Sequence, residues 1–358
     1  MRYVVIMAGG AGTRLWPLSR KGMPKQLLRL VDQKSLLRIS YERVQGVVPD
    51  DQVLVCAGAD YLDVVASELP ELPRENLLGE PVGRDSLNAV AWPAAVLARQ
   101  DPQAVVATLT ADHIIRPVPA FQEALDEAYR VAEQDPSALV TFGVVPTAPH
   151  TGFGYLRRGE PLKGFGSTFT VEEFKEKPDA ETAAEYLASG DYWWNSGMFV
   201  WRVATLLDQL RDLQPTVYHG VSTVAAEPER LAEIYPTLPR TSVDFAVMEP
   251  VSQGRGTAHV TAVRLPVDWY DVGGFAALAE HLPQRDGNAV DGSAVLLDSS
   301  GNLVVNRGPD GSLVAVVGLH DTAVVTSGNI TLVCPVSQTE RIKQLVAEVC
   351  QQAGEGFA

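Results

Sequence analysis

MRYVVIMAGGAGTRLWPLSRKGMPKQ, residues 1–26, passes from an apolar run through a glycine turn to a set of cations. Residues 3–7 are apolar and rich in β-branched side chains with no helical period, the pattern of a strand buried on both faces of a parallel sheet. Gly9, Gly10 and Gly12 follow at once. Without a Cβ they let main-chain amides wrap closely around an anion. Arg14, Lys21 and Lys25 add positive charge in a chain whose net charge is −15, and a polyphosphate accounts for cations gathered beside such a turn. Two common glycine motifs fail here. The dinucleotide fingerprint G-x-G-x-x-G breaks at Leu15, and the P-loop ending Gly-Lys-Ser/Thr breaks because Gly12 is followed by Thr13 and Arg14.

What remains, GGxGTRLxPLS…PKQ, resembles the opening motif of the sugar nucleotidyltransferases, and the tryptophan of TRLWPLSR resembles their mannose-1-phosphate guanylyltransferase branch. The resemblance implies nucleotide binding by Ala8, Gly9, Gly10, Gly12, Thr13 and Arg14. It also implies that Arg14 and Lys25 are catalytic, holding the leaving pyrophosphate.

Composition narrows the alternatives. At 358 residues the chain is long enough for one large domain and a smaller one. The apolar run at the N-terminus is too short for a signal peptide or membrane span, so a cytoplasmic protein with no membrane partner is expected. Cys56, Cys334 and Cys350 are odd in number and widely spaced, which indicates neither a disulfide framework nor a C-x-x-C metal site. The histidines lack ligand spacing, leaving carboxylates as the expected metal ligands. The acidic balance disfavours nucleic acid.

Strand, helix and strand signals alternate through residues 35–110, the rhythm of a doubly wound, mixed and mostly parallel Rossmann-like α/β sheet. The expected helices include 35–44, 87–99, 121–133, 180–189, 203–213 and 243–248; the expected strands include 52–57, 104–110, 138–144, 170–174, 192–201 and 258–265. In GEPVGRDSLNAV, Asp85 or Ser86 suits a helix N-cap. The family resemblance adds base recognition, with Glu80, Gly83 and Asp85 beside a guanine whose N1–H and N2–H donors suit a carboxylate or an outward carbonyl.

Asp112 ends a buried strand, where open α/β sheets bind ligands, and TADH matches the family's segment, making Asp112 a metal ligand for Mg²⁺. His113 is expected to be structural. By resemblance, HTGFGY, residues 150–155, places Gly152 against the sugar, although His150 stands where the family has Glu and Phe153 where Tyr is common. EKP offers Glu176 to sugar hydroxyls and Lys177, a catalytic candidate, to a sugar phosphate. Asn195 in the aromatic run YWWNSGMFVW is the hydroxyl reader, while Trp193, Trp194, Phe199 and Trp201 are expected in the core or against a lid. WYDVGGF resembles a family motif that makes Asp271 the second metal ligand.

Composition shifts near residue 281, so 1–283 is expected to be the catalytic domain and 284–358 a small β-rich, β-helix-like domain ending in a helix that SQTE, residues 337–340, caps. The implied reaction is transfer of GMP from GTP to α-D-mannose 1-phosphate, giving GDP-mannose and pyrophosphate. Bifunctional family members continue into an isomerase domain, so this length suggests the monofunctional form, with the β domain serving a homodimer. Two alternatives stay open: another sugar 1-phosphate and nucleotide pair, or a non-catalytic regulatory subunit that binds nucleotide sugars.

Overall fold

In the computed structural model, which describes every residue except Ala11, Asp32 and Ala358 and the side chain of Val31, the initial apolar run is strand β1 (Arg2–Ala8). Val4, Val5 and Ile6 are at most 1% exposed, as a strand covered on both faces requires. The chain divides into two compact units: Met1–Gly9, Ser40–Ala111 and Ile115–Trp269 form the first, and Gly10–Ile39, Asp112–Ile114 and Tyr270–Ala358 the second.

The first unit is built on a nine-stranded sheet. After β1 its strands are β2 (Val53–Gly58), β3 (Leu77–Glu80), β4 (Val105–Thr110), β5 (Ala138–Val144), β6 (Gly154–Pro161), β7 (Thr168–Lys175), β8 (Tyr192–Arg202) and β9 (His259–Arg264). Their order is β3-β2-β1-β4-β8-β5-β9-β7-β6. The first four are mutually parallel, which is the doubly wound half. Beyond them β8 runs antiparallel to β4 and β5, β9 runs parallel to β5, and β7 and β6 complete the sheet antiparallel. Strand β8 also pairs with β6, and its register with β5 shifts between Asn195 and Phe199, where Gly197 adopts φ 69°. Asn195 is the last paired residue before that bulge, which takes Ser196 and Gly197 out of the ladder with β5.

Helix α1 (Asp85–Gln100) begins two residues earlier than its apolar pattern predicts, and neither expected cap is realised. Asp85 is already helical in position but has φ 67°, and its carboxylate accepts the next residue's N–H at 2.8 Å. The Ser86 hydroxyl accepts instead from the Val243 N–H at 3.1 Å, so a distant segment has taken the group a cap would need. Helix α2 (Val118–Gln134) buries Phe121, Leu125, Ala128, Tyr129 and Ala132 on one stripe, the i, i+3, i+4 spacing of its sequence. Helix α3 (Ala180–Ser189) is capped by Asp179, which accepts the Thr182 N–H at 2.8 Å, and ends at Gly190. Helix α4 (Val203–Leu213) follows β8, and a further helix the pattern did not suggest, α5 (Pro215–Ala226), packs Val217, Val221 and Val224 inward. Trp193, Trp194, Phe199 and Trp201 are all under 8% exposed, as expected. The helix expected at 243–248 is a single π turn, Asp244–Met248.

The second unit joins the glycine loop region to the C-terminal β-rich part. Strands β10 (Asn288–Asp291), β11 (Leu303–Arg307) and β12 (Thr322–Ser327) stack in parallel, and Ala294–Leu297 pairs in parallel with Val314–Val317. This is β-helical stacking. Val290, Val304, Val316 and Val324 fill its interior, and an asparagine ladder links the rungs: Asn302 donates to Asn288 Oδ1 at 2.9 Å, and the Thr322 N–H donates to Asn302 Oδ1 at 3.0 Å. A second core gathers Leu15, Trp16, Leu18, Val272, Phe275, Leu303, Val325 and Ile342. The SQTE box does not cap: Val336–Arg341 is a 3-10 turn, the Thr339 hydroxyl donates to the Val336 carbonyl at 2.9 Å, and helix α6 (Ile342–Ala353) starts without a side-chain cap.

Among the described residues no helix is long and apolar enough to cross a membrane.

Candidate active site

In the second unit, the glycine turn and the two predicted metal acids converge on Lys25. Gly12 has φ 61°, and a Cβ there would stand 2.4 Å from the Lys25 Cβ, so the loop closes only with glycine at this position. The Gly12 carbonyl is fixed by the Ser19 hydroxyl at 2.6 Å and by the Leu15 N–H at 2.9 Å. Lys25, only 7% exposed, directs its Nζ to Asp112 Oδ2 at 2.9 Å and to Asp271 Oδ1 at 3.5 Å. The Val272 N–H donates to the Asp112 carbonyl at 3.3 Å and so ties the two acidic segments at the backbone. Burial alone would push the Asp112 carboxyl up; the Lys25 ammonium and then His113 outweigh it and hold that carboxyl below the usual range.

His113, expected to be structural, lies buried beside this cluster. Its Nε2 lies 3.8 Å from Asp112 Oδ1, and one ligand atom from each of Asp112, His113 and Asp271 can be chosen so that all lie within 4.8 Å of one another. The two carboxylates suit a hard divalent cation that shares its remaining positions with water and phosphate oxygens, and the adjacent imidazole widens the set to a borderline divalent ion. Arg14, in the turn Thr13–Leu15, is half-exposed, with Nη1 3.8 Å from Glu340 Oε2.

The first unit carries two groups of candidate residues. At the end of β3, Glu80 is 5% exposed; its Oε1 accepts the Tyr235 hydroxyl at 2.6 Å, and a Cβ on Gly9 would lie 3.1 Å from its Oε2. Burial pushes the Glu80 carboxyl up, with Tyr235 opposing the shift. Ala8 is buried at the end of β1, whereas Gly83 on the loop before α1 and Asp85 at the first position of α1 are exposed.

The second group surrounds Glu176, which is 6% exposed. Its Oε1 pairs with Lys177 Nζ at 2.9 Å, and its buried Oε2 has no hydrogen-bond donor among the described residues. A Cβ on Gly154 would come within 2.6 Å of that oxygen and 3.3 Å of the Asn195 Cβ, so the glycine backbone, Glu176 and Asn195 share one point. Gly152 does not join them: its N–H donates to His150 Nδ1 at 3.0 Å, and His150 stacks on Phe153 at 4.0 Å between centroids. Asn195 accepts the Thr141 hydroxyl at 2.7 Å and donates to Asp244 Oδ1 at 2.8 Å, leaving one N–H of its amide for a ligand. Burial and then the nearby Glu176 push the Asp244 carboxyl up to about 7. Lys177, with φ 46°, lies half-exposed with its Nζ 5.9 Å from the Phe245 ring centroid.

The sequence reading missed the parts played by Tyr235, Thr141 and His113. The first two contribute single hydroxyls from distant segments, which no local spacing marks. His113 adjoins a predicted ligand, and that adjacency was a usable signal.

The Nucleotidyl transferase family pattern matches residues 3–285, and a MannoseP isomerase/GMP-like beta-helix domain matches residues 292–349. Mannose-1-phosphate guanylyltransferase from Klebsiella pneumoniae is 38% identical over 355 residues, spanning 96% of this chain and 72% of that protein. A protein of the same name from Escherichia coli is 38% identical with the same coverage. The crystal structure of mannose-1-phosphate geranyltransferase from Thermus thermophilus superposes with a TM-score of 0.85 at 32% identity, covering 97% of this chain and 99% of that one. The chain belongs to the nucleotidyl transferase family and, within it, to the mannose-1-phosphate guanylyltransferases.

Proposed function

We propose that this chain transfers GMP from GTP to α-D-mannose 1-phosphate, giving GDP-mannose and pyrophosphate. The observation that carries the reading is the buried Lys25 ammonium held between Asp112 and Asp271, a constellation suited to phosphoryl oxygens and a divalent cation. An oxygen of mannose 1-phosphate attacks the α-phosphorus of GTP, the bond from that phosphorus to the β-phosphate oxygen breaks, and pyrophosphate leaves without a covalent enzyme intermediate.

Positioning and charge neutralisation supply the rate. Lys25 and Arg14 hold the charge that grows on the departing pyrophosphate, and Ala8, Gly9, Gly10, Gly12 and Thr13 line the triphosphate. Asp112, Asp271 and His113 fit Mg²⁺, which when bound neutralises and orients phosphate oxygens. Glu80, Gly83 and Asp85 select guanine. Glu80, with its Oε1 held by the Tyr235 hydroxyl, offers the oriented acceptor that the guanine N1–H and N2–H donors need. Glu176 Oε2 and the spare Asn195 N–H take sugar hydroxyls, with Gly154 close by and Gly152 on the flanking turn. Lys177 exchanges its Glu176 partner for the sugar phosphate.

Residues 1–283 carry the chemistry, residues 284–358 form the β-helical addition, and the protein acts in the cytoplasm as a homodimer on small molecules alone. Pyrophosphate release across four nucleoside triphosphates and several sugar 1-phosphates tests the assignment. It predicts that GTP with mannose 1-phosphate gives the highest kcat/KM. Preference for another pair overturns the substrate assignment, and tight GDP-mannose binding without release from any pair favours a regulatory subunit.

A further inference from the structure

Trp16 interrupts the signature loop with a large side chain that has no part in the chemistry above. It is 5% exposed, and its Nε1–H donates at 2.7 Å to the main-chain carbonyl of Phe357, 341 positions away. Around it Leu15, Trp16 and Leu18 share a core with Ile342, and Val346 and Val349 of α6 pack against the same core. The C-terminal segment reaches the loop a second time through Glu340, whose Oε2 lies 3.8 Å from Arg14 Nη1 and whose Oε1 lies 3.8 Å from where a Cβ on Gly274 would stand. A Cβ on the preceding Gly273 would stand 3.5 Å from Arg14 Nη1 and 3.4 Å from Asp271 Oδ2. The segment from residue 336 to 357 therefore meets the loop on both sides of Leu15, beside a predicted phosphate ligand and a predicted metal ligand.

We propose that this C-terminal helical segment is the positioning element of the triphosphate loop and that Trp16 is the positioning residue through which it acts. The stretch between Gly12 and Lys25 is a series of short turns closed by local hydrogen bonds, such as Leu15 N–H and Trp16 N–H to the Gly12 and Thr13 carbonyls. No long helix or strand holds those turns against one another, so their arrangement depends on outside contacts. Trp16 supplies one such contact in two parts: an indole body packed among Leu15, Leu18 and α6, and an N–H satisfied by a carbonyl of the tail. Fixing Trp16 fixes Arg14 two residues before it and limits the paths by which Gly12 meets Lys25. The Arg14–Glu340 pair is exposed and adds little energy by itself; its place beside Arg14 marks how near the tail comes to the phosphate-holding end of the loop. Trp16 touches no substrate in this assignment, and its effect falls on the ordering cost of the loop when GTP or pyrophosphate binds.

The inference rests on the proposed GTP reaction, so the unsubstituted enzyme is measured first. Absence of transfer there overturns that reading and leaves the Trp16 comparison to direct binding of pyrophosphate. With transfer established, Trp16→Phe, which keeps most of the apolar body and removes the N–H, is expected to raise KM for GTP, and KM for pyrophosphate in the reverse direction, about fivefold, the scale of one buried hydrogen bond. KM for mannose 1-phosphate stays within about twofold, a split that general loosening would not produce. Val349→Ala, which loosens α6 against the same core, shifts KM for GTP in the same direction, and the double variant shows less than the product of the two effects. If Trp16→Phe does not fold, Val349→Ala alone carries the same KM comparison. Unchanged KM for GTP in folded variants, equal shifts for both substrates, or fully multiplicative effects overturn the inference.

Discussion

Replacing Lys25 by methionine keeps a flexible side chain of similar reach and removes the charge. In the native protein the ammonium stands 2.9 Å from Asp112 and 3.5 Å from Asp271, and at an effective dielectric of about 20 each attraction is on the order of 5 kcal/mol before desolvation. Most of that is offset by burying the ammonium, and the two carboxylates keep 31% and 29% of their side-chain exposure, so water screens the remainder. We expect a net stability loss of about 1–2 kcal/mol, read as a fall of about 2–5 °C in Tm by thermal melting in chelator. Mg²⁺ should recover part of the loss by occupying the acids that lysine has left, since a ligand of the native state stabilises it.

Acidity adds a second reading of the same variant. Because Asp112 is held low in the native protein, its stabilising share is complete above the ordinary aspartate range and drains away as pH falls through its lowered value. Without Lys25 that share shrinks, so the gap in Tm between native and variant should narrow as pH falls below the ordinary aspartate range. Turnover should fall by about 10²–10³ in kcat, the usual effect of removing one preorganised charge contact. Turnover within tenfold of native, or a Tm gap indifferent to both Mg²⁺ and pH, would refute the reasoning.

Three further outcomes follow from the same geometry. Gly154→Ala places a methyl 2.6 Å from Glu176 Oε2 and should raise KM for mannose 1-phosphate about 10- to 100-fold with KM for GTP little changed; parallel rises in both constants in initial-rate assays count against the sugar assignment. Asp244, pushed up to about 7, binds its proton more tightly folded than unfolded, so its contribution to stability is present below the ordinary aspartate range and is lost as pH rises toward 7. Denaturant unfolding at pH 5 and pH 8 should show Asp244→Asn removing on the order of 2 kcal/mol of that difference, and an unchanged difference would exclude Asp244 as its source. Chelation should abolish transfer, and His113→Ala should raise the Mg²⁺ concentration needed for half-maximal rate about tenfold; an unaltered Mg²⁺ curve removes His113 from the ligand set.

Much of the fold was legible because its signals are local. The apolar run before Gly9, the amphipathic stripe from Phe121 to Ala132 and the helical pattern of 180–189 each announce their element within a few residues. Where a remote group intervenes, local reading fails. Ser86 has the chemistry of a cap but gives its acceptor to Val243, and the SQTE box yields to a 3-10 turn in which Thr339 bonds backward to Val336. Helix α5 escaped notice because Gly220 and several β-branched residues weaken its propensity; its burial against neighbours decides the matter, and a Cβ on Gly220 would stand 2.4 Å from Leu238.

The candidate site divides in the same way. Lys25, Asp112 and Asp271 were recognisable as residue types in marked positions, yet no spacing rule pairs acids so far apart in the chain. The partners of the other candidate residues, Tyr235 on Glu80 and Asp244 on Asn195, arrive from segments whose approach only the folded chain defines. Trp16 is the sharpest instance: a conspicuous letter in the loop whose partner is a main-chain carbonyl, a group that every residue carries and no sequence pattern can single out.

The most direct test of the central claim follows the phosphate itself. Mannose 1-phosphate carrying ¹⁸O in its three non-bridging phosphate oxygens is incubated with GTP and Mg²⁺, and the products are weighed by mass spectrometry. Attack by the sugar phosphate on the α-phosphorus predicts GDP-mannose retaining all of the label and pyrophosphate containing none. Labelled pyrophosphate, or GTP turnover without GDP-mannose, would contradict the account.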